Sequence, residues 1–161
     1  MMGALPFDRY TGGGRRRLGR PRQGDLTARH GYGPPVFAEC GYVCVYCGLD
    51  MAATFEGWLQ LSVDHVIPRQ MAIRAVDSYP ADLVEDITNL VTCCRACNDF
   101  GNRFVVGDPA PTSDAAFYDL RDHVFAERKA MILARREQER AIYLKLPAAG
   151  PGRPPTAGED T

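Results

Sequence analysis

Two Cys-x-x-Cys pairs, Cys44-Val-Tyr-Cys47 and Cys94-Arg-Ala-Cys97, constrain this chain more than any other feature it carries. Zinc takes four tetrahedral thiolate or imidazole ligands, and a Cys-x-x-Cys turn presents two sulfurs to one side of an ion. Two such pairs far apart in sequence predict one structural Zn2+ on Cys44, Cys47, Cys94 and Cys97 that staples the segment between them. Gly48 directly follows the first pair, where a knuckle often needs positive φ so that backbone N–H groups can turn toward sulfur. Cys40 and Cys93 are left over. Either could replace a neighbour as ligand, but the two-residue spacing selects the other four and leaves these as small hydrophobic thiols. A thioredoxin-like redox pair would need a βαβ context and has no use for a second Cys-x-x-Cys.

The rest of the chain divides around this staple. Residues 1–35 are rich in Gly, Pro and Arg without helical or strand periodicity, and they predict a flexible basic arm. Residues 147–161 (PAAGPGRPPTAGEDT) predict a disordered tail. Residues 36–106 hold all six cysteines, and residues 113–146 read as one long helix. Pro109 and Pro111 break the chain before that helix, and Ser113 or Asp114 can cap it. Phe117, Leu120, Val124 and Met131 recur at helical spacing, with Arg128 interrupting the stripe. Its mixed Arg, Lys, Asp and Glu residues predict a solvated face with i,i+4 ion pairs. No apolar run approaches the ~20 residues of a membrane span, and no apolar segment follows the N-terminal arginines as a secretory signal would require. Both absences point to the cytoplasm, where cysteines stay reduced and metal is a better use for them than disulfides.

Leu61-Ser-Val-Asp-His-Val-Ile67 is β-branched and partly alternating, and Pro68 stops it, so it predicts a strand. Leu90-Val91-Thr92 predicts a second, shorter strand, and about Arg95 to Arg103 a short helix. Trp58, in Phe55-Glu-Gly-Trp-Leu59, is expected in the core. Of three histidines, His30 falls in the arm and His123 on the long helix, whereas His65 follows Asp64 inside an apolar strand. In a regular strand these neighbours point to opposite faces. They serve one site only where the strand distorts or ends, as Pro68 suggests.

The order Cys44/Cys47, Asp64-His65-Val66-Ile67-Pro68, Asn89-Leu90, Cys94/Cys97, Asn98 resembles the HNH endonucleases, whose pattern runs C-x-x-C, Asp-His-(Ile/Val)-x-Pro, Asn-Leu, then C-x-x-C followed by His or Asn. The resemblance covers about residues 40–103. It implies an α+β fold: a small ββα-metal (HNH) finger stapled by the four-cysteine zinc, followed by the long C-terminal helix, with disordered termini. It further implies His65 as general base, Asp64 and Asn98 as ligands of a catalytic Mg2+ or Mn2+, and Asn102 as a further metal contact. Asn89 would shape the loop after the first strand and orient the imidazole. Where many members carry a Lys three residues after the Asn98 position, this chain has Gly101, with Arg103 two residues on.

The residue types suit phosphodiester hydrolysis in their own right. His titrates near neutrality and can take a proton from water, and a divalent cation on oxygen ligands can offset charge on the phosphorane. A four-thiolate zinc has no open position and is not the catalyst. Net charge is only −1, but Arg15, Arg16, Arg17, Arg20 and Arg22 cluster in the arm. With Arg69, Arg74 and Arg103 they are candidate phosphate contacts, giving salt-dependent and sequence-tolerant affinity. No major-groove recognition module is evident, so no target sequence follows. The expected activity is metal-dependent cleavage of DNA, double-stranded. The alternative is a non-catalytic zinc module binding nucleic acid or protein, in which Asp64 and His65 are structural.

Overall fold

The computed structural model describes residues 33–69, 81–107 and 111–146. Arg15, Arg16, Arg17, Arg20, Arg22, His30, Arg74 and the tail from residue 147 lie outside the described residues. In chain order the elements are α1 (Gly33–Glu39), α2 (Phe55–Leu59), β1 (Leu61–His65), α3 (Ala81–Val84), a 3-10 turn (Ile87–Asn89), β2 (Leu90–Cys94), α4 (Arg95–Gly101) and α5 (Asp114–Leu144). Among the described residues no helix is long and apolar enough to cross a membrane.

β1 and β2 form a two-stranded antiparallel sheet. Its register pairs Leu61 with Cys94 at one end and His65 with Leu90 at the other. β2 runs two residues further than its apolar signal, because Cys93 and Cys94 also face packed surroundings and all five of its residues are buried. β1 stops at His65, two residues short of the predicted end. Past that point Val66 N–H donates to Asn89 O, and Ile67 N–H leaves the ladder for the Asn89 side chain.

Helices cover both faces of this hairpin. On one side Val36 and Phe37 of α1 are buried, and Thr92 Oγ1 donates to Val36 O at 3.1 Å. The sequence shows no periodic signal for α1; Pro34 and Pro35 sit in its first turn, where a missing N–H costs nothing. On the other side lie α4 and the first half of α5, with Tyr46 and Phe125 stacked at 5.4 Å between ring centroids. Of the two possible caps Ser113 is the one used, its hydroxyl accepting from Ala116 N–H at 3.2 Å. Phe117, Arg121, Val124, Phe125, Arg128 and Ile132 are the buried residues of α5, so burial ends halfway along the helix. A second small core of Ile67, Leu83, Val84 and Phe117 fixes the first turns of α5 beneath the segment that follows β1.

Trp58 departs from expectation. It is 40% exposed on the five-residue α2, which buries none of its residues, and its ring lies 6.1 Å from that of Tyr42. Met51 and Leu61, on either side of α2 in the chain, are buried instead.

Candidate active centre and metal site

The first Cys-x-x-Cys sits in a tight loop closed by Cys44 N–H to Leu49 O at 2.9 Å and a bridge between Val43 and Asp50. Gly48 has φ +76°, as the knuckle requires, and its N–H donates to Cys44 O at 2.8 Å. Val45 N–H donates to Thr92 O, which ties the loop to β2 and so to the second pair. The sulfurs of Cys44, Cys47, Cys94 and Cys97 all lie within 4.8 Å of one another, with Cys47 and Cys94 at 3.9 Å. Zn–S bonds of about 2.3 Å place tetrahedral sulfurs roughly 3.8 Å apart, so the four thiols fit one zinc ion. Crowding sets them against one another. The Cys47 thiol is held far below its ordinary value, first through Cys44, while Cys94 and Cys97 are pushed far above theirs, again first through Cys44. A bound dication removes that conflict by holding all four as thiolates. Cys40 and Cys93 are buried outside this cluster, with Cys40 Sγ accepting from Thr92 N–H and Cys93 Sγ donating to Ser62 O.

His65 stands at the opposite end of the hairpin from the cysteines. Its Nε2 lies 3.4 Å from Glu85 Oε2, and Glu85 in turn accepts from Arg69 Nε at 2.5 Å and Nη2 at 2.8 Å. The imidazole is 13% exposed. Burial, then the Arg69 charge, holds its pKa below the ordinary 6.5 against the opposing pull of Glu85. The ring is therefore neutral at pH 7, with one nitrogen available as a base.

Asp64 does not join it. Side chains alternate along β1, and the Asp64 carboxylate enters the core on the α5 side. Arg128 Nη2 lies 3.0 Å from Oδ1 and 2.9 Å from Oδ2, and the Tyr46 hydroxyl donates to Oδ2 at 2.5 Å. Burial, then the Asp64 charge, pushes the Tyr46 pKa well up, so the phenol keeps its proton for this bond. Arg128 Nη1 also donates to His65 O and Val66 O, both at 2.8 Å. Asn98 sits nearer the cysteine end, with its amide donating to Ser62 Oγ at 2.9 Å. Asn102 is exposed at the end of α4, and its backbone N–H donates to Asn98 O. Asp64 and Asn98, the ligands that the resemblance implies for a divalent cation, thus turn to different partners, and the Asp64 oxygens face a guanidinium. As placed, this donor set does not fit Mg2+ or Mn2+, which require open oxygen ligands.

Asn89 is fully buried. Its amide donates to Ile67 O at 3.0 Å and Val84 O at 2.9 Å, and its Oδ1 accepts from Ile67 N–H at 3.0 Å. One side chain thereby fixes the backbone just after His65. Arg69 is exposed beside His65, and Arg103 is exposed after α4. Three residues of this region escaped the sequence reading: Glu85, Tyr46 and Arg128. Only Arg128 left a signal, as the charge that interrupts the apolar stripe of α5.

A hairpin stapled by four cysteines, crossed by a short helix and carrying a neutral histidine at its free end, defines a ββα-metal finger. Residues 44–100, about a third of the chain, match the model of the HNH endonuclease family. Searches of curated proteins and of solved structures returned no match. The matched span holds every residue quoted above for the resemblance up to Asn98, and it excludes α5, which supplies Arg128.

Proposed function

We propose that this protein is an endonuclease that hydrolyses phosphodiester bonds of double-stranded DNA with His65 as general base. The observation that carries this reading is a partly sheltered imidazole with a depressed pKa at the end of β1, backed by a carboxylate. With Glu85 accepting from Nε2–H, Nδ1 is left with a lone pair to take a proton from water. The resulting hydroxide attacks phosphorus, the P–O bond to the leaving sugar oxygen breaks, and that oxygen takes a proton from solvent. Arg69 and Arg103 hold phosphates by charge in this reading, joined by Arg15, Arg16 and Arg17, which lie outside the described residues. Zinc on Cys44, Cys47, Cys94 and Cys97 holds the hairpin and α4 together and takes no part in the chemistry. No step runs through Mg2+ or Mn2+, because Asp64 is engaged by Arg128.

That engagement is also the observation favouring a second reading, a non-catalytic zinc module that binds nucleic acid or protein. Plasmid cleavage by zinc-loaded protein separates the two. The assay compares wild type with His65→Ala in added Mg2+, in added Mn2+ and in neither. Loss of cleavage by about 10²-fold or more in His65→Ala supports the enzyme. Equal inactivity of two folded, zinc-loaded proteins across metals and substrates supports the module.

A further inference from the structure

We propose that the Arg128 guanidinium occupies the cation position at Asp64 and keeps divalent metal off that carboxylate. The inference rests on the nuclease reading of the site and specifies its charge. Three observations converge on it. First, both Asp64 oxygens are committed within 3.0 Å, to Arg128 and to the Tyr46 hydroxyl, and Asp64 and Arg128 are only 5% and 1% exposed. A dication approaching that carboxylate would meet a fixed positive charge at contact distance, in surroundings where water screens little.

Second, the guanidinium is held from a second direction. Its Nη1 donates to His65 O and Val66 O, the two carbonyls where β1 ends. Swinging Arg128 out to admit a metal would take this donor from both carbonyls and leave the carboxylate with the Tyr46 hydroxyl alone. Magnesium gives up its own water reluctantly and gains little from one buried carboxylate. Asn98, the other ligand expected of the pair, is turned to Ser62.

Third, α4 is cut away to make room. A Cβ on Gly101 would lie 2.6 Å from Arg128 Nη2, so no side chain is tolerated there while the guanidinium is in place. The glycine and the arginine are therefore one device contributed by two elements. Because α5 lies outside the matched residues 44–100, the family match does not assign this charge. The arrangement balances the Asp64 charge without an ion from solution, and it pins the carbonyl of the histidine itself.

The test is Mn2+ binding to zinc-loaded protein, followed by electron paramagnetic resonance. In wild type no Mn2+ site depending on Asp64 is expected, so Asp64→Asn should change binding less than about 2-fold. Arg128→Met should create an Asp64-dependent site, lost again in the Arg128→Met/Asp64→Asn double variant. The proposal is overturned if wild type binds one Mn2+ that Asp64→Asn weakens 10-fold or more. It is equally overturned if a folded Arg128→Met gains no site. Should Arg128→Met fail to give a cooperative melt, the wild-type and Asp64→Asn comparison settles the matter alone. Since resonance reads binding without turnover, an inactive wild type would sink the nuclease reading and leave this result standing.

Discussion

Asp64 and His65 adjoin in sequence and part company in space. The carboxylate is sealed against α5 by a guanidinium and a phenol, whereas the imidazole sits at the rim with Glu85 and Arg69, both roughly half exposed. The alternation of a strand accounts for the division, since consecutive side chains leave on opposite faces. One face of β1 serves cohesion, tying the long helix to the hairpin. The other presents a titratable group to solvent. A two-residue motif thus need not mean a two-residue site, and the perturbations that follow should affect the two faces differently.

The largest effect should erase the difference. Both faces hang from the cysteine staple at the Leu61–Cys94 end of the hairpin. Binding of structural zinc is worth about 10–16 kcal/mol in finger peptides, comparable with or larger than the whole stability of a small domain. Stripping zinc with a chelator, or Cys94→Ser, should abolish the cooperative thermal transition seen by circular dichroism, with about one zinc per chain in the intact protein. A normal melt without metal would show that the hairpin stands unaided.

Next come paired substitutions that should split the faces. Asp64→Ala leaves Arg128 buried without its carboxylate, and removing one partner of a buried pair costs about 3–5 kcal/mol. His65→Ala, on the rim, should change stability by no more than about 1 kcal/mol while lowering cleavage by about 10²- to 10⁴-fold. Urea denaturation and a plasmid assay on the same preparations read both quantities. If His65→Ala proves as destabilising as Asp64→Ala, the imidazole is a core group and the division between faces fails.

Much of this was legible in the chain. The four cysteines, both strands, α4 and the capped long helix all carry local signals of spacing, β-branching and turn chemistry, and the structure has them in that order. What was not legible depends on contacts across long separations. Arg128 and Asp64 lie 64 residues apart, and Tyr46 and Asp64 18 apart, so no window of sequence contains the pair. Arg128 did announce itself, because a charge on the buried stripe of a helix has to find a partner inside. Gly101 reads in the sequence only as the place of a missing Lys, and its meaning emerges with the guanidinium beside it. Glu85 belongs to neither a periodic element nor a motif, and its role exists only through the distance to His65.

A smaller effect tests how far the cohesive face depends on α5 as a whole. Ser113 caps its first turn, and Ser113→Ala should cost about 1 kcal/mol by freeing Ala116 N–H. Arg128 is four turns further on, so the loss should show in urea denaturation while the pH dependence of cleavage stays unmoved. A shifted pH profile in that variant would mean that the end of the helix and the rim are coupled.

The smallest effect, and the most diagnostic of the rim, is a change in that pH dependence. His65 is held below its ordinary pKa of 6.5 by burial and then by Arg69, with Glu85 pulling the other way. A neutral base works best above its folded pKa, so cleavage should fall on the acid side with a midpoint below 6.5. The stability consequence has the same direction. Above pH 6.5 both folded and unfolded states hold a neutral ring, and the contribution is complete. As pH falls toward the folded pKa the unfolded chain takes up the proton first, and stability is lost. Glu85→Gln removes the charge that favours the imidazolium and should move the acid limb further down. Arg69→Gln removes a charge that opposes it and should move the limb up. Each shift should be under about one unit, since both partners are half exposed and screened. Nuclear magnetic resonance titration of the imidazole beside the cleavage profile reads both, and the opposite signs are what matter. Shifts in the same direction, or none in either variant, would mean that the limb belongs to another group and that His65 is not the base.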